Sequence, residues 1–235
     1  MATAVVIGAT GGIGRALVGE LARRGGQDRI FALSRRPVAA AAPGVIVGRV
    51  DLTDEASLRA AAAEIGEADL VIVASGVLQT DTLKPERSYK ALEAEAMLES
   101  FRINAVGPAL AAKHFLPLMP RGRRGVFAAL SARVGSISDN RLGGWHSYRA
   151  SKAALNMTLA NLAIELARER PQAVCVGLHP GTVDTGLSAP FQRNLASGQL
   201  FTPAYSATCL LDVLDRLTPG DSGGVFAWDG SRIAP

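Results

Sequence analysis

Apolar runs of strand length alternate with helical runs from one end of this chain to the other, and that alternation restricts the fold more than any other feature. "TAVVIGA" (3–9), "RIFALS" (29–34), "VIVGRVD" (45–51), "ADLVIVASG" (68–76), "GVFAALSA" (125–132), "AVCVGLHPG" (173–181) and "GGVFAW" (223–228) read as strands. Helical patterns fill 13–24, 53–65, 93–119, 148–168 and 202–217. The second of these opens with Thr53 or Asp54 as N-cap, and the last with Thr202 as N-cap and Pro203 at the first helical position. Gly107-Pro108 predicts a bend or a break and restart within 93–119. Strands that are apolar almost throughout are buried on both faces, which means a parallel sheet covered on each side by helices. The expected fold is therefore α/β: one doubly wound, Rossmann-type domain over 1–235, with a parallel sheet of about seven strands. Internal repeats, low-complexity linkers and composition shifts that would mark a second domain are absent from the sequence.

Composition excludes several classes. Hydrophobic residues at 48% and charged residues at 20% suit a chain that buries a core. The apolar runs are too short to span a bilayer. The N-terminus passes directly into a strand and a glycine turn, so no signal peptide is expected and a cytoplasmic location is. Cys175 and Cys209 stand in apolar surroundings without CxxC spacing and read as small core residues. His114, His146 and His179 are scattered, so no metal site is expected. The net charge of +4 comes from dispersed arginines with only 5% aromatic residues, which argues against a nucleic-acid surface.

The first turn carries chemistry. In "VIGATGGIGRAL" (6–17), Gly8, Gly12 and Gly14 leave a strand and open a helix. One glycine permits the tight turn, another the approach of a pyrophosphate, and the last close helix–sheet packing. The helix N-terminus favours the phosphate charge. The turn predicts a dinucleotide. At the end of the second strand, where a carboxylate would pair with a ribose 2′-hydroxyl, the chain has Ser34, Arg35 and Arg36. Arginines suit a 2′-phosphate, so the expected cofactor is NADP(H) rather than NAD(H). Asp51 stands where it can accept a hydrogen bond from the adenine amino group, or serve as a turn carboxylate before Leu52.

Midway along, "SYRASKAAL" (147–155) places Tyr148 and Lys152 four residues apart, on one face of a helix. With the glycine turn, Asp51, Ser75-Gly76, Asn104 and "HPGTVDT" (179–185), this pair makes the whole chain resemble the short-chain dehydrogenase/reductase family. Three longer stretches are similar to its branch of C-factor and sniffer-type carbonyl reductases: "LKPERSYKALEAEAMLESFRINAVGP", "GSISDNRLGGWHSYRASKAALN" and "SGGVFAWDG". The resemblance implies an enzyme that interconverts a small or aromatic carbonyl and its alcohol. Tyr148 would be the proton donor. Lys152 would hold the nicotinamide ribose and lower the tyrosine pKa, and Asn104 would anchor the water and backbone link to Lys152. The cofactor would lie along Gly8, Thr10, Gly12, Ile13 and Gly14, then Ser34 to Arg36, Asp51 and Leu52. Beyond these it would meet Ala74, Ser75 and Gly76, then Asn104, Tyr148 and Lys152, and finally Pro180, Gly181, Val183 and Thr185. Relatives are often homodimers or homotetramers.

Three positions depart from the family pattern. Ile7 stands where a threonine is usual, and Ala74-Ser75-Gly76 replaces Asn-Ala-Gly. Ala132 occupies the place of the substrate-orienting serine. The candidates for that serine's role are Ser131, one residue earlier, and Ser136 in the following loop. A one-residue offset on a strand turns a side chain to the other face. A second function is therefore weighed beside the reductase, that of an NAD(P)-binding signalling or redox-sensing protein with little or no turnover. Substrate would be held by 77–91, by Trp145 and His146, and by a lid at 187–201.

Overall fold

The structure is a computed structural model that describes residues 2–37, 42–80, 83–194 and 198–235. Its centre is a parallel sheet of seven strands: β1 (Thr3–Ile7), β2 (Arg29–Ser34), β3 (Val45–Arg49), β4 (Leu70–Val73), β5 (Gly125–Leu130), β6 (Ala173–His179) and β9 (Val225–Ala227). Their order across the sheet is β3-β2-β1-β4-β5-β6-β9. All seven strands expected from the sequence are present, most of them ending a few residues early.

Alternate residues of each strand feed two separate cores, as strand geometry requires. Val5, Ile7, Val71, Val73, Phe127 and Cys175 point to one face, where they meet α2 (Glu55–Ile65), α4 (Gly107–Phe115) and α5 (His146–Glu169). Ala4, Val6, Ile72, Ala128 and Val176 point to the other, against α1 (Gly12–Arg24) and α6 (Pro203–Arg216). Cys175 is core, as expected, and burial pushes its thiol up to about 12. Cys209, on α6, is only half-buried. From β1 the chain runs outward to β2 and β3, then returns to place β4 on the other side of β1. The ends of β1 and β4 therefore frame a topological switch point, the crevice where open α/β sheets bind ligands.

The capping alternatives resolve. Asp54 caps α2, accepting from the Ala56 N–H at 3.1 Å, while Thr53 turns back to Asp51. Thr202 caps α6, accepting from the Tyr205 N–H at 3.2 Å.

The long helix expected over 93–119 is corrected. It consists of α3 (Ala94–Phe101), a π-helical turn (Arg102–Val106) and α4, with Pro108 in the first turn of α4. The distortion precedes Gly107-Pro108, because Pro108 has no N–H to return to the carbonyl four residues back. The Gly107 N–H instead reaches the Arg102 carbonyl, five residues back, and the turn widens. Two short strands, β7 (Thr182–Val183) and β8 (Leu200–Phe201), pair in parallel beside the main sheet. No alternating pattern of two residues announces such a pair. Among the described residues, no helix is long and apolar enough to cross a membrane.

Candidate active site

At the switch point, Gly8 has φ +92°, and a Cβ there would lie 2.5 Å from Ser75 Oγ. The turns after β1 and β4 touch only because this residue is glycine. A Cβ on Gly14 would lie 2.2 Å from the Gly8 carbonyl oxygen, so the first turn of α1 can pack this tightly only without a side chain. Gly11, the N-cap of α1, has no side chain to cover the helix N-terminus. Gly11, Gly12 and Ile13 accordingly line a cavity of about 450 Å³. Backbone N–H groups open at a helix N-terminus are the donor set a pyrophosphate needs, so the turn fits a dinucleotide. Thr185 lies directly against Gly12. Thr10 is half-buried in the turn between β1 and α1.

The same cavity is lined by Ala74, Ser75, Gly76, Ser131, Tyr148, Lys152, Pro180, Gly181, Val183 and Thr185. The structure thus brings together most of the residues singled out from sequence. Ser34, Arg35, Arg36, Asp51 and Leu52 lie outside it, at the ends of β2 and β3. Ser34 and Leu52 are buried, and both arginines are exposed. The Asp51 Oδ1 accepts from the Thr53 N–H at 2.9 Å and from its hydroxyl at 2.8 Å. Burial works to raise the pKa of this carboxyl, but the Thr53 bonds, Arg35 and Arg102 outweigh it and hold the group below its ordinary value. Asp51 thus braces the turn before α2, and Arg35 is close enough to feel its charge.

Tyr148 and Lys152 stand in the first turns of α5, with 9% and 3% of their surface exposed. The Lys152 Nζ donates to the Leu130 carbonyl at 2.8 Å and lies 5.7 Å from the Tyr148 ring centre. Burial pushes the phenol up to about 12 and the ammonium down to about 8, because a poorly hydrated site disfavours either charge. In the protein alone, desolvation decides both groups.

Asn104, inside the π-helical turn, is fully buried. Its side chain clamps the backbone of Val77, accepting from the N–H at 2.9 Å and donating to the carbonyl at 2.8 Å. It also donates to Ser100 Oγ at 3.3 Å and Ser151 Oγ at 3.2 Å. Asn104 thereby ties the loop after β4 to α5, and a Cβ on Gly76 would touch both Asn104 Oδ1 and Lys152 Nζ. The spacing Ser100–Asn104, one helical turn, was the available signal for this network.

The serine positions divide cleanly. Ser131 donates its hydroxyl to Asn156 Oδ1 at 2.6 Å. Ser136 donates to the Pro235 carbonyl at 3.3 Å and accepts from the Asp139 N–H at 3.1 Å. Both hydroxyls have partners other than Tyr148 and Lys152. Ala132 packs against Tyr148, together with Leu78, Val134 and Trp145. His179, at the end of β6, lines the cavity beside Ser131, and its Nδ1 is buried without a partner. Burial, helped by Arg133, lowers its pKa to about 4, so the ring is neutral near pH 7. Of the expected substrate segments, Leu78, Trp145, Leu187 and Ser188 line the cavity, and His146 does not. Positions 81–82 of the loop and 195–197 of the lid lie outside the described residues.

A sequence profile of the short chain dehydrogenase family matches residues 2–196. The chain belongs to that family. One relative of this short-chain dehydrogenase, 1-hydroxy-2-glutathionyl-2-methyl-3-butene dehydrogenase of Rhodococcus sp. (strain AD45), is 33% identical over 238 residues, covering 99% of each chain. The C-signal protein of Myxococcus xanthus is 36% identical over 138 residues, covering 58% of this chain and 77% of that protein. An NADPH-bound carbonyl reductase from chicken fatty liver superposes with a TM-score of 0.84 at 27% identity, covering 99% of this chain and 94% of that one. The short-chain dehydrogenase is thus an oxidoreductase whose relatives include the branch expected from its sequence.

Proposed function

We propose that this short-chain dehydrogenase uses NADPH to reduce a small or aromatic carbonyl compound, and runs in reverse on the matching alcohol. The observation that carries the reading is the buried Tyr148/Lys152 pair opening into the same cavity as the glycine turn of α1. The NADPH-bound carbonyl reductase that shares the fold supports it.

When bound, the dinucleotide would supply hydride to the carbonyl carbon. The glycine turn and Thr185 would hold its pyrophosphate, Arg35 and Arg36 its 2′-phosphate, and 180–183 its nicotinamide end. Tyr148 would pass its proton to the carbonyl oxygen, completing the alcohol. A phenol pushed up to about 12 stands protonated at neutral pH, ready to act as an acid. The Lys152 ammonium, held by the Leu130 carbonyl, would stabilise the phenolate left behind. Leu78, Val134 and Trp145 would exclude water from the exchange. The experiment is to follow loss of reduced-nicotinamide absorbance across a panel of aldehydes and ketones. Carbonyl-dependent oxidation of NADPH is expected; its absence across the panel would count against the reading.

A pH dependence follows from Lys152, whose folded pKa is lowered to about 8. Below that value the ammonium is charged and can stabilise the phenolate; above it, the stabilisation disappears. The reductive kcat/KM should therefore be level below about pH 8 and decline above it, by about tenfold per unit once the group is largely neutral. A profile still level at pH 10, about where an unperturbed lysine titrates, would contradict this role.

A second reading, an NAD(P)-binding signalling or sensing protein with little turnover, is favoured by one observation. Ala132 packs against Tyr148 where the family pattern has a hydroxyl. Substituting Ala132→Ser tests whether the absent hydroxyl limits turnover. In a reductase limited by the missing donor, kcat should rise about tenfold, a conservative share of what one such hydrogen bond contributes, with NADPH affinity unchanged. No gain in kcat would mean that a missing hydroxyl is not what limits turnover.

A further inference from the structure

Helix α5 carries Tyr148 in its first turn but does not cap itself. Its N-cap is Trp145, whose side chain makes no capping bond and whose φ of 50° makes it the one non-glycine residue in the left-handed region among the described residues. Such a backbone persists only where the surroundings fix it. The fixing group is Glu86, from the loop after β4. Its carbonyl accepts the Trp145 N–H at 2.6 Å. Its carboxylate, from a residue only 5% exposed, accepts the Ser147 N–H at 3.2 and 3.3 Å and also takes the Ser147 hydroxyl.

We propose that Glu86 is a positioning residue for Tyr148 and Trp145: its buried carboxylate caps α5 from 61 residues away and fixes where the phenol and the indole stand. An anionic oxygen at a helix N-terminus satisfies donors that would otherwise be orphaned, and meets the positive end of the helix dipole. Gly144, with φ 65°, takes the left-handed backbone that leads into Trp145 and its bond to the Glu86 carbonyl. On the other side, Ser100 donates to the Ser147 carbonyl at 3.3 Å. Ser147 is thus held through both its N–H and its C=O, immediately before Tyr148. Trp145 meets Tyr148 edge to face, with ring centres 6.3 Å apart, and both line the cavity. Releasing Glu86 would free the acid and the wall that faces the substrate together, while the glycine turn on α1 stays untouched.

This inference rests on the proposed carbonyl reduction, and its test separates the two. Glu86→Ala and Glu86→Gln are compared with the wild type for kcat, KM and NADPH affinity. The emission of Trp145 is read by iodide quenching with Trp228 replaced by Phe throughout. Glu86→Ala should lower kcat about tenfold or more, as misplacement of a reacting group does, with NADPH affinity unchanged and Trp145 more easily quenched. Glu86→Gln, which keeps one acceptor oxygen, should recover part of both. Wild-type kcat in both variants, or kcat and NADPH affinity falling in parallel, would overturn the inference. If the wild type reduces no carbonyl, the proposed function fails and quenching alone judges Glu86: unchanged quenching in Glu86→Ala overturns it, and increased quenching upholds it.

Discussion

Replacing Tyr148 with Phe should lower carbonyl turnover by about 100- to 10,000-fold, the range that a positioned general acid contributes, and change NADPH affinity far less. The substitution removes one oxygen from a side chain that is 9% exposed and packs on Leu78, Ala132 and Trp145, so the ring keeps its place. What is lost is the only proton that the proposed reaction takes from the protein. Pre-steady-state mixing of the NADPH-loaded variant with a carbonyl substrate would separate chemistry from product release. Turnover within a few-fold of wild type would show that the proton comes from elsewhere and that the Tyr148/Lys152 pair is structural.

The second large effect concerns the choice of dinucleotide. Arg35 and Arg36 follow β2 and are exposed, where a pair of guanidinium groups can close on a phosphate. A hydrogen bond to a charged group contributes about 1.5 to 3 kcal/mol, and exposure reduces that through solvent screening. Changing both arginines to Ala should weaken NADPH about 100-fold, by the lower end of that range applied twice, and leave NADH nearly unchanged. The preference would then be close to abolished. Raising the salt concentration should weaken NADPH binding to the wild type more than to the variant. Equal losses for both dinucleotides would place the arginines in folding rather than in phosphate recognition.

The sequence was most legible where periodicity and backbone need coincide. Uninterrupted apolar strands led to a sheet buried on both faces, and the structure divides Val5 and Ile7 from Ala4 and Val6 into separate cores as that reading requires. Gly8 and Gly14 were recognisable because no other residue fits a turn whose backbone atoms come so close. Tyr148 and Lys152 were legible because one helical turn separates them. The one-residue offset of Ser131 from Ala132 was readable, but the expected turn to opposite faces is not what the structure has: β5 ends at Leu130, and Ser131 reaches Asn156 while Ala132 reaches Tyr148, both on α5.

The rest depended on contacts between segments far apart in the chain. The wide turn that buries Asn104 arises from a missing N–H at Pro108, yet the sequence placed the break at Gly107-Pro108 itself. Nothing near Glu86 marks it as the cap of a helix that starts 60 residues later, because the cap is formed by tertiary packing and not by the local N-cap position. Burial, which a sequence does not display, sets the direction for Tyr148 and Lys152 in the protein alone.

The most direct test of the account is a titration of the purified protein with NADPH and, separately, with NADH, following reduced-nicotinamide fluorescence. The account predicts saturable binding of NADPH, much tighter than that of NADH. Binding of neither dinucleotide would contradict the reading of the whole site, from the glycine turn to Lys152.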